Sequence, residues 1–313
     1  MNFGMPYMGS KSKIAMSIVN ILPNGKRLID LFGGGGAITC CALYLHKYKK
    51  VMYNEFNPLC EKLFEDAIKG KYNEKIFTPK FITREEFNAH KDDDGYIKYI
   101  CSFGNNGSAY MYSSDNENIK HIAQDFIVFN KWDDFLGKFI DKKLLVGKTI
   151  NDRRMEFIKM IKQKQPKMAQ IQQLCQWERL QQLERFNQLS NLEQLQRWER
   201  LEFNCGSYED YHYQEGDIVY CDPPYGGTAE YSDSFNYSKF LDWCASRPYE
   251  VFFSSYDKNY DKRFYKYWQE KKRVLLSKVG TNLKKIETLY TNKPRKQEIY
   301  VLEQMNLFEE DNN

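Results

Sequence analysis

At 313 residues and 37.3 kDa, with 42% hydrophobic and 16% aromatic residues, the chain can bury a sizeable core and is not a disordered polymer. Its net charge of +4 permits a nucleic-acid partner without demanding one, so the placement of the charge matters more than its sum. The eight cysteines form no CxxC pair, no signal peptide opens the chain, and no stretch approaches the roughly 18–20 apolar residues of a membrane span. This excludes a disulfide-stapled scaffold and a membrane helix, and leads us to expect a soluble protein of a reducing cytoplasm.

Residues 26–31 (KRLIDL) read as a short buried strand, followed by the glycine run 33–36. AITCCALYLHKY then reads as a helix and KKVMYNE as the next strand. NPLCEKLFEDAIKG gives a further helix, with Pro58 early and Gly70 as its stop. Strand, loop, helix, strand, helix is how a doubly wound α/β sheet begins.

Residues 71–200 have another character. CSFGNNGSAYMYSSDNEN is rich in Asn, Gly, Ser and Tyr, as loops are. Between Lys138 and Lys167 stand ten Lys/Arg against three Asp/Glu, a local excess that suits phosphates. A second cluster comprises Lys284, Lys285, Lys293, Arg295 and Lys296.

From Met168 to Leu201 apolar residues recur every third position, and WERL occurs twice, at 177–180 and 198–201. On an α-helix of about 100° per residue each such step slips the stripe by about 60°, so no single flat surface could bury it. A helix wrapped by other elements, a loosely ordered repeat expansion and a threefold coil all stay open. A long 3₁₀ helix is disfavoured, and the Gln, Leu, Glu and Arg content favours a helix.

Beyond the insert the alternation returns. DIVYC reads as a strand, NYSKFLDWCAS as a helix and YEVFFSSY as a strand; KYWQEKKRVLLSK carries a helix end into a strand, and KQEIYVLEQ is a terminal strand. The sheet is thus expected to be assembled from both ends of the chain around the insert.

Two motifs carry chemistry. The glycine run, lying between a buried strand and an apolar helix, fits a tight turn at which backbone approaches a ligand. Glu55, 19 residues after Gly36 at the end of the second strand, stands where an acid accepts hydrogen bonds from a ribose diol. In DIVYCDPPY two prolines remove two backbone donors past a strand's C-terminal end. The Asp222 carboxylate and the Pro223 carbonyl remain as acceptors beside the Tyr225 ring, a set that suits a planar group bearing an NH₂.

In this context DIVYCDPPY resembles the catalytic motif of amino-group DNA methyltransferases, and the chain is similar to the DNA adenine methylase (Dam) family, alpha group. The resemblance implies a Rossmann-like methyltransferase sheet with an inserted, mainly helical DNA-recognition region, S-adenosylmethionine as cofactor and double-stranded DNA as partner. YMGSK suggests Tyr7 and Lys11 near the methyl donor; DLFGGGGA implies Asp30, Phe32, Gly34 and Gly36 around it. YNEFN carries the ribose acid as Glu55, and GSYED offers Ser207 and Tyr208 to the cofactor adenine. Asp222, Pro223 and Tyr225 would be catalytic, with Asp222 also facing the donor. FFSSYD and VGTNLKKIETLYTN resemble later segments of the family.

The implied partition is a discontinuous catalytic domain of 1–70 and 201–303, a recognition insert at 71–200 and a tail at 304–313. Within the insert Lys142, Lys143, Arg153, Arg154 and Lys159 are the candidate DNA contacts. In the tail Gln304, Leu307 and Phe308 resemble the short peptide that docks on bacterial sliding clamps. The alternatives are an N4-cytosine methyltransferase, a catalytically silent DNA-binding or antirestriction relic, and a dinucleotide-dependent oxidoreductase, which would leave DPPY unexplained.

Overall fold

The computed structural model describes residues 2–163, 180–195, 198–225, 235–256, 261–274, 283–294 and 300–302. They form two compact units, one of Met1–Lys13, Gly34–Cys40 and Asn57–Trp198, the other of Ile14–Gly33, Cys41–Phe56 and Glu199–Asn313.

The second unit holds the sheet. Its strands are β1 (Arg27–Asp30), β2 (Lys50–Glu55), β3 (Leu201–Cys205), β4 (Asp217–Cys221), β5 (Val251–Tyr256), β6 (Tyr265–Val274), β7 (Leu283–Thr291) and β8 (Tyr300–Leu302). Their order is β3-β2-β1-β4-β5-β7-β6-β8. The first five run parallel, β7 is antiparallel to both β5 and β6, and β8 is parallel to β6. The expected α/β fold is present.

The near-continuous apolar runs of β1, β4 and β5 reflect burial on both faces, as parallel strands require. One face carries Ile29, Leu31, Val219, Cys221, Val251 and Phe253, packed with Phe240, Trp243 and Cys244 of the helix Tyr237–Ser246. Each such side chain contributes about 1.5–3 kcal/mol on burial. The chain leaves β1 toward β2 on one side and reaches β4 on the other, so β1 and β4 flank the switch point at which open α/β sheets bind ligands.

The first unit is mainly helical. It contains α3 (Pro58–Ile68), α4 (Arg84–His90), α5 (Gly95–Ile100), α6 (Ser114–Phe129), α7 (Ile150–Gln163) and α8 (Gln181–Ser190); α1 (Ala15–Ile21), α2 (Ala37–Leu45) and α9 (Tyr237–Ser246) complete the series. Its helix starts are written locally. Asn57 caps α3 ahead of Pro58, and Thr83 with Glu86 forms a capping box on α4. Phe64, Phe87, Phe126, Phe157 and Phe186 are fully buried within it.

Two sequence expectations need correction, and two elements were not expected. KYWQEKK is not a helix end but part of β6; Tyr267 and Trp268 are both buried next to a register shift, which interrupts the two-residue alternation that marks a strand. The polar SSDNEN opens α6, with Asp115 and Glu117 in its first turn. LEFNC, for which no element was expected, is the edge strand β3. The helix α1 was not anticipated.

The described part of the period-three tract is short helix broken by tighter turns. Leu183, Phe186 and Leu189 of α8 are buried, and a 3₁₀ turn at Asn191–Gln194 follows. At three residues per turn a 3₁₀ segment is in phase with the repeat, so Leu192 is buried too. Residues 168–179 and 196–197 of the tract lie outside the described residues.

Candidate active site

Glycines 33–36 leave no room for side chains, against Tyr53, Tyr7 or Phe64. A Cβ on Gly33 would stand 2.2 Å from the Tyr53 ring, and one on Gly36 would stand 2.3 Å from the Phe64 ring. Gly34 and Gly36 also have φ of +48° and +71°, which L side chains rarely adopt. Within the helical unit Tyr7 lies against this run: a Cβ on Gly34 would meet its ring at 2.9 Å, and Met5 N donates to Gly35 O at 2.7 Å. Lys11 is buried in the same unit.

In the sheet unit the remaining predicted residues gather at the C-terminal ends of parallel strands. Asp30, 1% exposed, ends β1 opposite Tyr220 of β4. Phe32, two residues on, stacks on Tyr208, with ring centroids 5.4 Å apart and planes at 28°. Phe235 and Phe240 meet Phe32 edge-on, giving an aromatic wall. Burial pushes the Tyr208 phenol up to about 12. Glu55 ends β2 half-buried, opposite Cys205 of β3, and its carbonyl accepts from Gly206 N at 3.2 Å. Ser207 caps the turn after β3, its hydroxyl accepting from Glu209 N.

Asn54 holds these ends together, and the sequence reading missed it. Buried at 1% exposure, it donates from Nδ2 to Leu31 O at 2.9 Å and to Gly206 O at 3.0 Å. Its Oδ1 accepts from Asn204 and its carbonyl from Gly33 N. One amide thus ties the exits of β1, β2 and β3. The available signal was an amide in an otherwise apolar strand (VMYNE), where burial demands partners. Beside it a cavity of about 180 Å³ is lined by Leu31, Met52, Asn54, Asn204 and Ser207, among others.

Asp222 leaves β4 half-buried, followed by the buried Pro223. The Tyr225 hydroxyl lies 3.0 Å from Asp222 Oδ1 and also within hydrogen-bond reach of Glu287 Oε1, two acceptors for its one proton. Its ring is 9% exposed and stands edge-on to Tyr256, with centroids 4.6 Å apart. Burial, together with the nearby carboxylates of Asp222 and Glu287, holds the phenol well above its ordinary value, so it remains a donor. Glu287, 1% exposed on β7, is the second residue the sequence reading missed.

The candidate DNA contacts divide by exposure. Lys142, Lys143 and Lys159 are exposed, with Lys142 Nζ 5.9 Å from the Trp132 ring centroid. Arg153 is half-buried and donates to Val128 O at 3.0 Å, while Arg154 bonds Asn151 Oδ1. Elsewhere in the helical unit a concavity of about 630 Å³ is lined by Arg84, Tyr110, Tyr112, Asn116, Lys120 and the 64%-exposed Phe103, among others. Gln304, Leu307 and Phe308 lie outside the described residues. Among the described residues no helix is long and apolar enough to cross a membrane, and no His/Cys/Asp/Glu group is arranged to hold a metal ion.

No curated protein matches the chain closely enough to serve as a relative. The family of D12 class N6 adenine-specific DNA methyltransferases matches residues 7–144 and 148–306, which include the glycine run, the insert and DPPY. That match favours adenine N6 over cytosine N4 and an enzyme over a silent relic. The chain belongs to the D12 class N6 adenine-specific DNA methyltransferase family and is an enzyme that methylates adenine N6 in DNA.

Proposed function

We propose that S-adenosylmethionine is the methyl donor, that the adenine is extruded from duplex DNA to meet it, and that Asp222 with the Pro223 carbonyl receives the amino group. The observation that carries this reading is Asp222 and Pro223 leaving β4 at the switch point beside β1, in the unit that also presents the Phe32–Tyr208 stack and Glu55. The residues present suit the donor. Glycines 34 and 36 allow backbone to approach a ligand, stacked aromatics suit a flat ring, and a half-buried strand-end acid suits a ribose diol. Tyr7, Lys11, Asp30, Phe32, Gly34, Gly36, Glu55, Ser207, Tyr208 and Asp222 are its proposed contacts. When bound, S-adenosylmethionine supplies an electrophilic methyl group.

The amino nitrogen of adenine is a poor nucleophile because its lone pair is delocalised into the ring. With one N–H accepted by Asp222 and the other by the Pro223 carbonyl, the nitrogen is drawn toward tetrahedral geometry and its lone pair becomes directional. The reaction needs no covalent intermediate, and a proton leaves the nitrogen afterwards. A paired adenine cannot reach such acceptors, so the base must be flipped out, with Tyr225 as its proposed stacking partner at about 1–3 kcal/mol.

We place target recognition in 71–200, with the catalytic domain formed by 1–70 and 201–303. The exposed Lys142, Lys143 and Lys159 suit phosphates, with Arg153 and Arg154 beside them, and the Phe103 concavity offers aromatic and cationic contacts to DNA. The tail residues Gln304, Leu307 and Phe308 carry a sliding-clamp contact in this reading on motif alone; clamp capture unaltered by deletion of 304–313 would discard it. A cytoplasmic setting completes the proposal.

The test is transfer of labelled methyl from S-adenosylmethionine to duplex DNA by purified protein, followed by nucleoside analysis and long-read sequencing. N6-methyladenine at a recurrent motif is the expected product. Methylated cytosine, or no label transfer in the presence of this donor, would overturn the reading.

A further inference from the structure

Glu287 lies 62 positions from Tyr225 in the chain, yet its carboxylate accepts from the Tyr225 hydroxyl. The sheet order explains how. β7 inserts between β5 and β6, and Glu287 stands in register with Tyr256 on one side and Glu270 on the other. Residues directly opposite on antiparallel strands share a face, so Tyr256 and Glu287 present a ring edge and a carboxylate to the same phenol. Glu287 is 1% exposed and stands opposite Glu270, 4% exposed.

A phenol has one proton and gives it to one carboxylate at a time. Tyr225 has two within reach, Asp222 and Glu287. Were Asp222 its sole acceptor, the hydroxyl would occupy one of the carboxylate's acceptor sites and would turn the carboxylate toward the ring. Glu287, a second acceptor for the same hydroxyl, relieves Asp222 of that donation and holds the ring through a contact that does not use Asp222.

We infer that Glu287 is a positioning residue for methyl transfer: it takes the Tyr225 hydroxyl and thereby keeps the Asp222 carboxylate turned to, and available for, the amino group. This rests on the reading above, in which Asp222 receives that group.

The test is a double-mutant cycle between Glu287→Leu and Tyr225→Phe, with Glu287→Gln as the conservative variant. Each is assayed for kcat, for the KM of S-adenosylmethionine and by thermal melting. Glu287→Leu should lower kcat about tenfold, the scale of one misdirected hydrogen bond, with the donor KM changed less than about threefold. Glu287→Gln should fall between parent and Glu287→Leu, because an amide oxygen accepts more weakly than a carboxylate. In the Tyr225→Phe background, where no hydroxyl remains to be directed, Glu287→Leu should change kcat by less than about twofold. An undiminished kcat in Glu287→Leu, or the same tenfold loss in both backgrounds, overturns the inference. Asp222→Ala, assayed in parallel, separates the two claims: parental turnover by that variant removes the reading of Asp222 whatever Glu287 does.

Discussion

The two ends of β4 carry two aspartates in contrasting surroundings. Asp217, at its start, is chelated by Arg27, with Nε to Oδ1 and Nη2 to Oδ2 both at 2.9 Å. Tyr211 and the Gln214 N–H complete its shell, and Arg27 reaches Glu202 as well. Asp222, just past the strand's other end, is half-buried and accepts from the Tyr225 phenol. A bidentate cation locks a carboxylate into the fold. A neutral phenol that also reaches Glu287 leaves a carboxylate less firmly held, as the proposed role of Asp222 requires.

The sharpest way to break this contrast is to exchange the effects. Arg27→Met leaves Asp217 buried without its cation and should destabilise by about 3–5 kcal/mol in urea unfolding, while kcat of the folded protein stays near parental. Burial raises the Asp217 pKa, but the bonds from Arg27, Tyr211 and Gln214 outweigh it, so the folded value lies below the ordinary 3.8. The pair's contribution is therefore complete above that pH and fades as pH falls through the lowered folded value, an acid sensitivity that unfolding at pH 2–4 should show and Arg27→Met should lack. Asp222→Ala should do the reverse, costing about 10²–10³ in kcat with melting temperature nearly unchanged. Equal losses of stability in both variants would erase the distinction.

A smaller effect is expected between the two ends. Asn54→Ala removes two side-chain bonds to the exits of β1 and β3, at about 1 kcal/mol each, and should raise the donor KM by about tenfold with little change in kcat. A fall in kcat alone would place Asn54 with Asp222 instead. The smallest change belongs to the surface. Replacing Lys142, Lys143 and Lys159 by Gln should weaken DNA binding evenly across sequences and flatten its salt dependence by up to about three phosphate contacts. An unchanged salt slope would move the phosphate contacts elsewhere.

How much of this was legible in the residues follows from the range of each interaction. DPPY, the glycine run and Glu55 are local signatures at strand ends, and the structure finds the sheet-unit members gathered there. β3 was not legible because its edge position lets Glu202 and Asn204 stand among apolar residues. β6 was not, because its register shift disturbs the alternation. Glu287 was out of reach for a different reason: its meaning depends on β7 lying between β5 and β6, an inversion of chain order that no window of sequence displays.

Cys40, Cys41, Cys60, Cys101, Cys221 and Cys244 are buried, and burial pushes the Cys41 thiol up to about 12, far from reactive thiolate at neutral pH. Cys205 alone among the described cysteines is exposed, directly across from Glu55. In a Cys175→Ser background the protein therefore comes with a built-in attachment point for a fluorophore at the rim of the crevice, where donor binding can be read as a change in emission.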